Sequence, residues 1–212
     1  MTKIAIIDYG FGNIKSVLNA LNFCNADAVV INEPSKLAQY GAAILPGVGA
    51  FAPAADFLQK KGFVGAISDF VKSGKMLYGI CLGFQLFFTN SFENGQYDGL
   101  NLIEGEVKKF DFNDRSLKIP HMGWNSVQWT DNPYSKLMFD GIKNGENFYF
   151  VHSYYPVLKD EKIAAGWTDY GVDFCSCIAY KNIWGSQFHI EKSGDIGLKV
   201  LKNFINVSEA DK

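Results

Sequence analysis

Lys75-Met76-Leu77-Tyr78-Gly79-Ile80-Cys81-Leu82-Gly83-Phe84-Gln85 decides how this chain of 212 residues folds. Met76–Ile80 is an apolar run of strand length, and a helix is predicted to begin at Leu82 and run to about Ser91. Between them sits a cysteine bracketed by Gly79 and Gly83, which lack the Cβ atoms that would crowd a sharp strand-to-helix turn. An elbow of this kind holds a nucleophile in an exposed, strained position. The helix that follows points its positive end at the sulfur and favours thiolate.

On the N-terminal side, Lys3–Asp8, Ala28–Ile31 and Ala42–Leu45 are further apolar runs, the last leading into Pro46-Gly47-Val48-Gly49. Helical spacing fills the gaps: Ile14, Val17, Leu18 and Leu21, then Pro53–Lys60, then Phe63–Ser73, stopped by Gly74. Strands alternating with helices predict an α/β fold, with an open, mostly parallel central sheet and helices on both faces. The C-terminal half is strand-rich and reads as antiparallel. Its runs are Val107–Phe112, Ser126–Trp129, Asn147–His152, Ile163–Thr168, Phe174–Tyr180 and Ile183–Phe188, with a hairpin over 173–185. An amphipathic helix, Ile196–Ile205, closes the chain. With no repeat, low-complexity stretch or linker, residues 1–212 are expected to form a single domain.

Composition narrows the function classes. Apolar residues make up 48% and charged residues 20%, ordinary for a soluble globular protein. Lys+Arg 20 against Asp+Glu 22 leaves a net charge of −2, so no nucleic-acid footprint is expected. No run nears the roughly 20 apolar residues of a membrane span. Met1–Asp8 enters a strand without a basic start or a cleavage site, so a cytoplasmic location is expected. Cys24, Cys81, Cys175 and Cys177 match neither a zinc site nor a redox pair, and neither metal nor cofactor is expected. Cys24, Cys175 and Cys177 read as packing groups, the last two facing the same side of one strand. Gly10-Phe11-Gly12-Asn13 follows the first strand but lacks the third glycine of a dinucleotide fingerprint, and reads as a turn.

Gln187-Phe188-His189-Ile190-Glu191 supplies what an elbow cysteine needs, a base in His189 and an orienting carboxylate in Glu191. His152 reads as a packed histidine, with a part in catalysis left open. For Pro120-His121-Met122-Gly123-Trp124-Asn125 the plain alternative is a core turn around a buried tryptophan, and for Glu93, in a loop-like segment, a solvated surface acid; neither is settled by the residues alone.

The elbow, Pro46–Gly49, Phe188–Ser193, Pro120–Asn125 and Phe148–Tyr154, in this order, resemble the class I (triad-type) glutamine amidotransferases over nearly the whole chain. The resemblance implies a Cys81–His189–Glu191 triad that hydrolyses glutamine through a glutamyl thioester, handing ammonia to a cyclase or synthase subunit in a heterodimer. It implies oxyanion donors in Gly47, Val48, Gly49 and Leu82, and contacts to the substrate's amino and carboxylate groups from Gly49, Gln85, Glu93, Ser153 and Tyr154. It places His121, Met122, Trp124, Asn125, Tyr149 and Lys192 at the partner interface. The family usually has proline where this chain has Ile190, which loosens the link from His189 to Glu191. The acceptor of the ammonia resides in the partner and stays open. A stand-alone cysteine hydrolase and a regulatory subunit without turnover are the other readings.

Overall fold

Period-two burial along short apolar strands builds this fold. In β1 (Ile4–Ile7), Ala5 and Ile7 face one core while Ile4 and Ile6 face a second. The same division holds in β3 (Ala42–Gly47) and β4 (Met76–Cys81), so each strand is covered on both faces. The computed structural model describes residues 2–112 and 116–210.

The first core packs under α2 (Phe51–Lys60) and α3 (Phe63–Lys72), through Phe51, Leu58, Phe63 and Ile67. The second lies under α1 (Ile14–Phe23) and α5 (Gly194–Ala210), through Val17, Leu21, Val200, Leu201 and Phe204. Each fully buried side chain of this size contributes about 1.5–3 kcal/mol. Among the described residues no helix is long and apolar enough to cross a membrane.

The remaining strands are β2 (Ala28–Ile31), β5 (Phe88–Ser91), β6 (Tyr97–Asp98), β7 (Ile103–Lys109), β8 (His121–Ser126) and β9 (Gln128–Trp129). They continue with β10 (Asn147–His152), β11 (Tyr154–Leu158), β12 (Ala164–Asp169), β13 (Asp173–Tyr180) and β14 (Ile183–Ser186). The central sheet has eight strands in the order β2-β1-β3-β4-β14-β13-β12-β9. It is parallel from β2 to β14 and antiparallel beyond, as β13 and β14 form the expected hairpin. Two smaller sheets, β10-β8 and β11-β7-β5-β6, complete it.

Three expectations change. The helix after the elbow, α4, is one turn long, Leu82–Gln85, and Phe88–Ser91 is strand. The carbonyls of Leu86, Phe87 and Phe88 accept Leu100, Leu102 and Asn101 amides at 2.7, 2.8 and 3.3 Å, which diverts them from helical partners. Pro120–Asn125 is no core turn, because His121–Ser126 is a strand paired with β10. Cys175 and Cys177 face opposite cores, since the β12–β13 register shifts around Ser176 and turns the strand over between them.

Candidate active site

Three sequence motifs meet because β3, β4 and β14 are parallel neighbours and end at the same edge of the sheet, where α/β folds bind ligands. Gly47 at the end of β3 pairs with Cys81 at the end of β4, and Gly79 and Ile80 pair with Gly185 and Ser186 of β14. The Pro46–Gly49 turn, the elbow and the Gln187–Glu191 segment therefore leave the sheet side by side.

The elbow is built as its glycines require. Cys81 has φ 53° and ψ −109°, a conformation costing an L-residue about 1–3 kcal/mol. A Cβ on Gly79 would stand 2.6 Å from Phe87 Cζ, and one on Gly83 would strike the Leu45 carbonyl oxygen. Only α4's single turn follows, which carries the free amides of a helix end but little of a macrodipole.

His189 and Glu191 are both buried, their side chains 2% exposed, and are joined by Nδ1 to Oε1 at 2.8 Å. The carboxylate accepts the Nδ1 hydrogen, which leaves Nε2 as the position where a proton is taken up and given back. Ser193 Oγ donates to the His189 carbonyl at 2.6 Å, and the His189 amide donates to the Tyr149 carbonyl at 2.9 Å, which fixes the ring's backbone. Burial works against a charged imidazole here, but the Cys81 and Glu191 side chains on either side outweigh it and hold His189 above its usual value. Nε2 itself is buried without a hydrogen-bond partner. The Cys81 thiol lies 3.9 Å from the Val151 carbonyl and receives Gln187 Nε2 at 3.6 Å. Cys175 and Cys177, by contrast, are buried with thiols pushed far up by burial, the condition of inert packing groups.

A cavity of about 320 Å³ opens over the thiol. Gly49, Leu82, Gln85, Glu93, Ser153 and Tyr154 line it together with Cys81 and His189, as do His152 and Val151. Glu93 is not a free surface acid: its Oε2 accepts the Phe51 amide at 2.7 Å, at the start of α2. Burial, and then the Glu93 charge, push the Tyr154 phenol up. The Val48 amide is turned from the cavity and donates to the Phe11 carbonyl at 2.7 Å. Among the described residues no group of three or more His, Cys, Asp or Glu is arranged to hold a metal ion.

Behind the cavity two histidines form a directed chain. The Tyr154 carbonyl accepts from His152 Nδ1 at 2.8 Å, so His152 Nε2 is an acceptor and takes the His121 Nδ1 proton at 3.0 Å. His121 Nε2 then accepts from Asn125 Nδ2 at 3.3 Å. His121, expected at the partner face, is 3% exposed and stacks on Tyr170 with ring centroids 3.9 Å apart. Strand alternation explains it: β8 turns His121 inward and leaves Met122 and Trp124 outside, 63% and 58% exposed. Trp124 meets Tyr149 edge-on at 6.1 Å, Lys192 is exposed, and Asn125 is half-buried, donating to the Asp169 carbonyl at 2.8 Å. Gln187 carried no expectation of its own. Its only signal was its place in the segment that carries His189 and Glu191.

A strained elbow cysteine beside a carboxylate-held histidine, at the carboxyl edge of a mostly parallel sheet, defines a triad-type thiol hydrolase. The family profile described as Glutamine amidotransferase class-I matches residues 5–207. Imidazole glycerol phosphate synthase subunit HisH of Moorella thermoacetica is 48% identical, over 96% of this chain and 94% of its own. The HisH subunit of Sulfurimonas denitrificans is 45% identical over 95% and 96%. Among solved structures, PurLQS from Thermotoga maritima shares the fold with TM-score 0.74 at 20% identity, covering 98% of this chain and 99% of that one. The chain therefore belongs to the class-I glutamine amidotransferase family and, within it, to the HisH subunits.

Proposed function

We propose that this chain is the glutaminase subunit of an imidazole glycerol phosphate synthase, splitting glutamine with Cys81, His189 and Glu191 and passing ammonia to a cyclase subunit. The observation that carries the reading is the elbow thiol set beside a histidine whose Nδ1 is held by a buried carboxylate. His189 Nε2 takes the thiol proton as Cys81 Sγ attacks the carboxamide carbon. The adduct's C–N bond then breaks, ammonia leaves with the proton from His189, and a glutamyl thioester is left. Water adds to the thioester, giving a proton to His189, and the C–S bond breaks to release glutamate and restore the thiol. Gln85, Glu93, Ser153, Tyr154 and Gly49 hold the substrate's amino and carboxylate groups.

The adduct's oxygen needs donors. Leu82, first residue of α4, offers one amide. The second comes from the Gly47–Gly49 turn, where the Val48 amide is engaged with Phe11. Rotating the Gly47–Val48 peptide exchanges the Phe11 carbonyl for the oxyanion, a motion that glycines on both sides permit. One such donor is worth about 10²–10³ in turnover. The isolated chain is accordingly slow, and a partner with acceptor bound drives the rotation. A hundredfold gain corresponds to about 2.7 kcal/mol of coupling. Met122, Trp124, Tyr149, Asn125 and Lys192 form the face that meets the cyclase, with His121 supporting it from beneath. Sheltered transfer keeps the ammonia unprotonated and nucleophilic, and the cyclase uses it to form imidazole glycerol phosphate and an aminoimidazole carboxamide ribonucleotide.

In the assembled complex, Cys81→Ala should abolish glutamine-driven synthesis and leave ammonium-driven synthesis intact. Retained glutaminase turnover would refute the nucleophile. Equal glutaminase rates for the free chain, the complex, and the complex with acceptor would refute the coupling.

A further inference from the structure

Gln187 lies beside the nucleophile, wholly buried, and the triad leaves it without a task. Its amide nitrogen donates to the Ser176 carbonyl at 2.8 Å, so its backbone is tied to β13. Its side chain spans two groups: Nε2 donates to Cys81 Sγ at 3.6 Å, and Oε1 accepts from Gln85 Nε2 at 2.9 Å. Gln85 Nε2 also donates to the Tyr154 carbonyl at 2.9 Å.

The orientation of both amides follows from one fixed acceptor. A backbone carbonyl cannot donate, so Tyr154 requires the nitrogen of Gln85 to face it. The other hydrogen of that nitrogen then requires the oxygen of Gln187, and the Gln187 nitrogen is left for the sulfur. Flipping either amide would set two acceptors, or two donors, against each other in a buried place, at the cost of an unsatisfied polar group. With both its hydrogens engaged, Gln85 has only its oxygen left for the cavity, an acceptor suited to an ammonium.

We propose that Gln187 sets the glutaminase site in two ways at once: its amide N–H holds the Cys81 sulfur as negative charge develops there, and its carbonyl fixes Gln85 as an acceptor for the substrate's amino group. This rests on the assignment of Cys81 as nucleophile and of Gln85 to the substrate. When the thiol proton leaves for His189, the Val151 carbonyl no longer has a hydrogen to accept. The Gln187 contact instead becomes charge-assisted, and such bonds are roughly twice as strong as neutral ones. Of the two hydrogen bonds the sulfur makes, to Val151 and from Gln187, only the one from Gln187 improves as the reaction begins.

The test uses Gln187→Met, which keeps length and loses both contacts, and Gln187→Asn, which keeps an amide but withdraws it by one methylene. Cys81 labelling by iodoacetamide, followed by mass spectrometry of its peptide, reads the thiol without requiring glutamine to bind. Gln187→Met should slow labelling about ten- to a hundredfold, from the worth of a hydrogen bond to a charged group. In the complex it should also lower kcat and raise KM for glutamine while ammonium-driven synthesis stays near wild type, and the thermal midpoint should fall modestly because a buried Gln85 N–H loses its acceptor. Gln187→Asn should change in the same directions and serves if the Met variant does not fold. A folded variant of either kind that labels Cys81 at the wild-type rate overturns the proposal. A Cys81→Ala chain that still hydrolyses glutamine would overturn the underlying assignment instead, so the two failures are distinguishable.

Discussion

Replacing His152 with Gln removes one titrating group from behind the active-site cavity and leaves an amide of similar reach. Burial pushes His152 down to about 3, with the His121 and His189 charges adding to it and the Tyr154 hydrogen bond opposing it. Unfolded, a histidine titrates near 6.5. The folded pKa is the lower one, so the unfolded chain binds the extra proton first, and stability present above pH 6.5 is lost as pH falls toward 3. Between pH 7.5 and 5.0 the loss covers about 1.5 pH units, or roughly 2 kcal/mol at 1.36 kcal/mol per unit. At pH 7.5 the variant should be less stable than wild type by about 1 kcal/mol, the worth of an imperfectly replaced hydrogen bond. By pH 5.0 the order should reverse. His121, pushed down by burial to about 4, titrates in both chains and cancels to first order in the difference. His189 is raised, so its contribution is complete below pH 6.5 and fades only as pH rises; it does not alter the acid comparison. Urea unfolding of both chains at the two pH values measures the effect as a change in midpoint at constant slope. A stability difference that is the same at both pH values would refute the reasoning, because it would mean His152 gains no proton on unfolding.

Trp124→Ala should leave stability within about 0.5 kcal/mol, since the ring is largely exposed, and weaken association with the cyclase subunit by about 2 kcal/mol or more; calorimetry showing unchanged affinity would remove Trp124 from the interface. Gly83→Ala should prevent the elbow from forming, because its Cβ would strike the Leu45 backbone, which has no rotamer by which to yield; wild-type glutaminase activity in the complex would contradict that. Ile190→Pro should keep turnover within about tenfold, or about 1.4 kcal/mol in the barrier. Ile190 is the first residue of a 3₁₀ turn, a position where proline is at home, and His189 at φ −87° and ψ 101° is near the extended region a following proline demands. A fall of several hundredfold would show that the Ile190 N–H holds the triad.

What the sequence revealed is what local chemistry determines. Gly79, Cys81 and Gly83 could be recognised because each has one backbone role that few residues can fill, and β1 to β4 because their apolar runs repeat with helices between. The second half was harder, since its strands depend on partners far along the chain. Carbonyls at Leu86 to Phe88 are taken by residues 100 to 102, ending a helix that periodicity would continue. A register shift at Ser176 separates two cysteines that simple alternation puts together. His121 and Trp124 divide inward and outward only once residues 121–126 are known to be strand.

Within the site the same division has a chemical consequence. The triad was readable because its residue types are fixed by the reaction. The partner of the Val48 amide and the two partners of Gln187 were not, since a peptide N–H and a carboxamide can each be satisfied in several ways. Groups with that freedom are the ones a site can re-pair during a cycle without breaking its frame. Val48 can exchange Phe11 for an oxyanion, and the Gln187 bond to sulfur can strengthen as the thiol ionises, while Cys81 and Gly83 stay locked. The nucleophile's frame is therefore fixed, and rate control falls to the hydrogen bonds that frame leaves exchangeable.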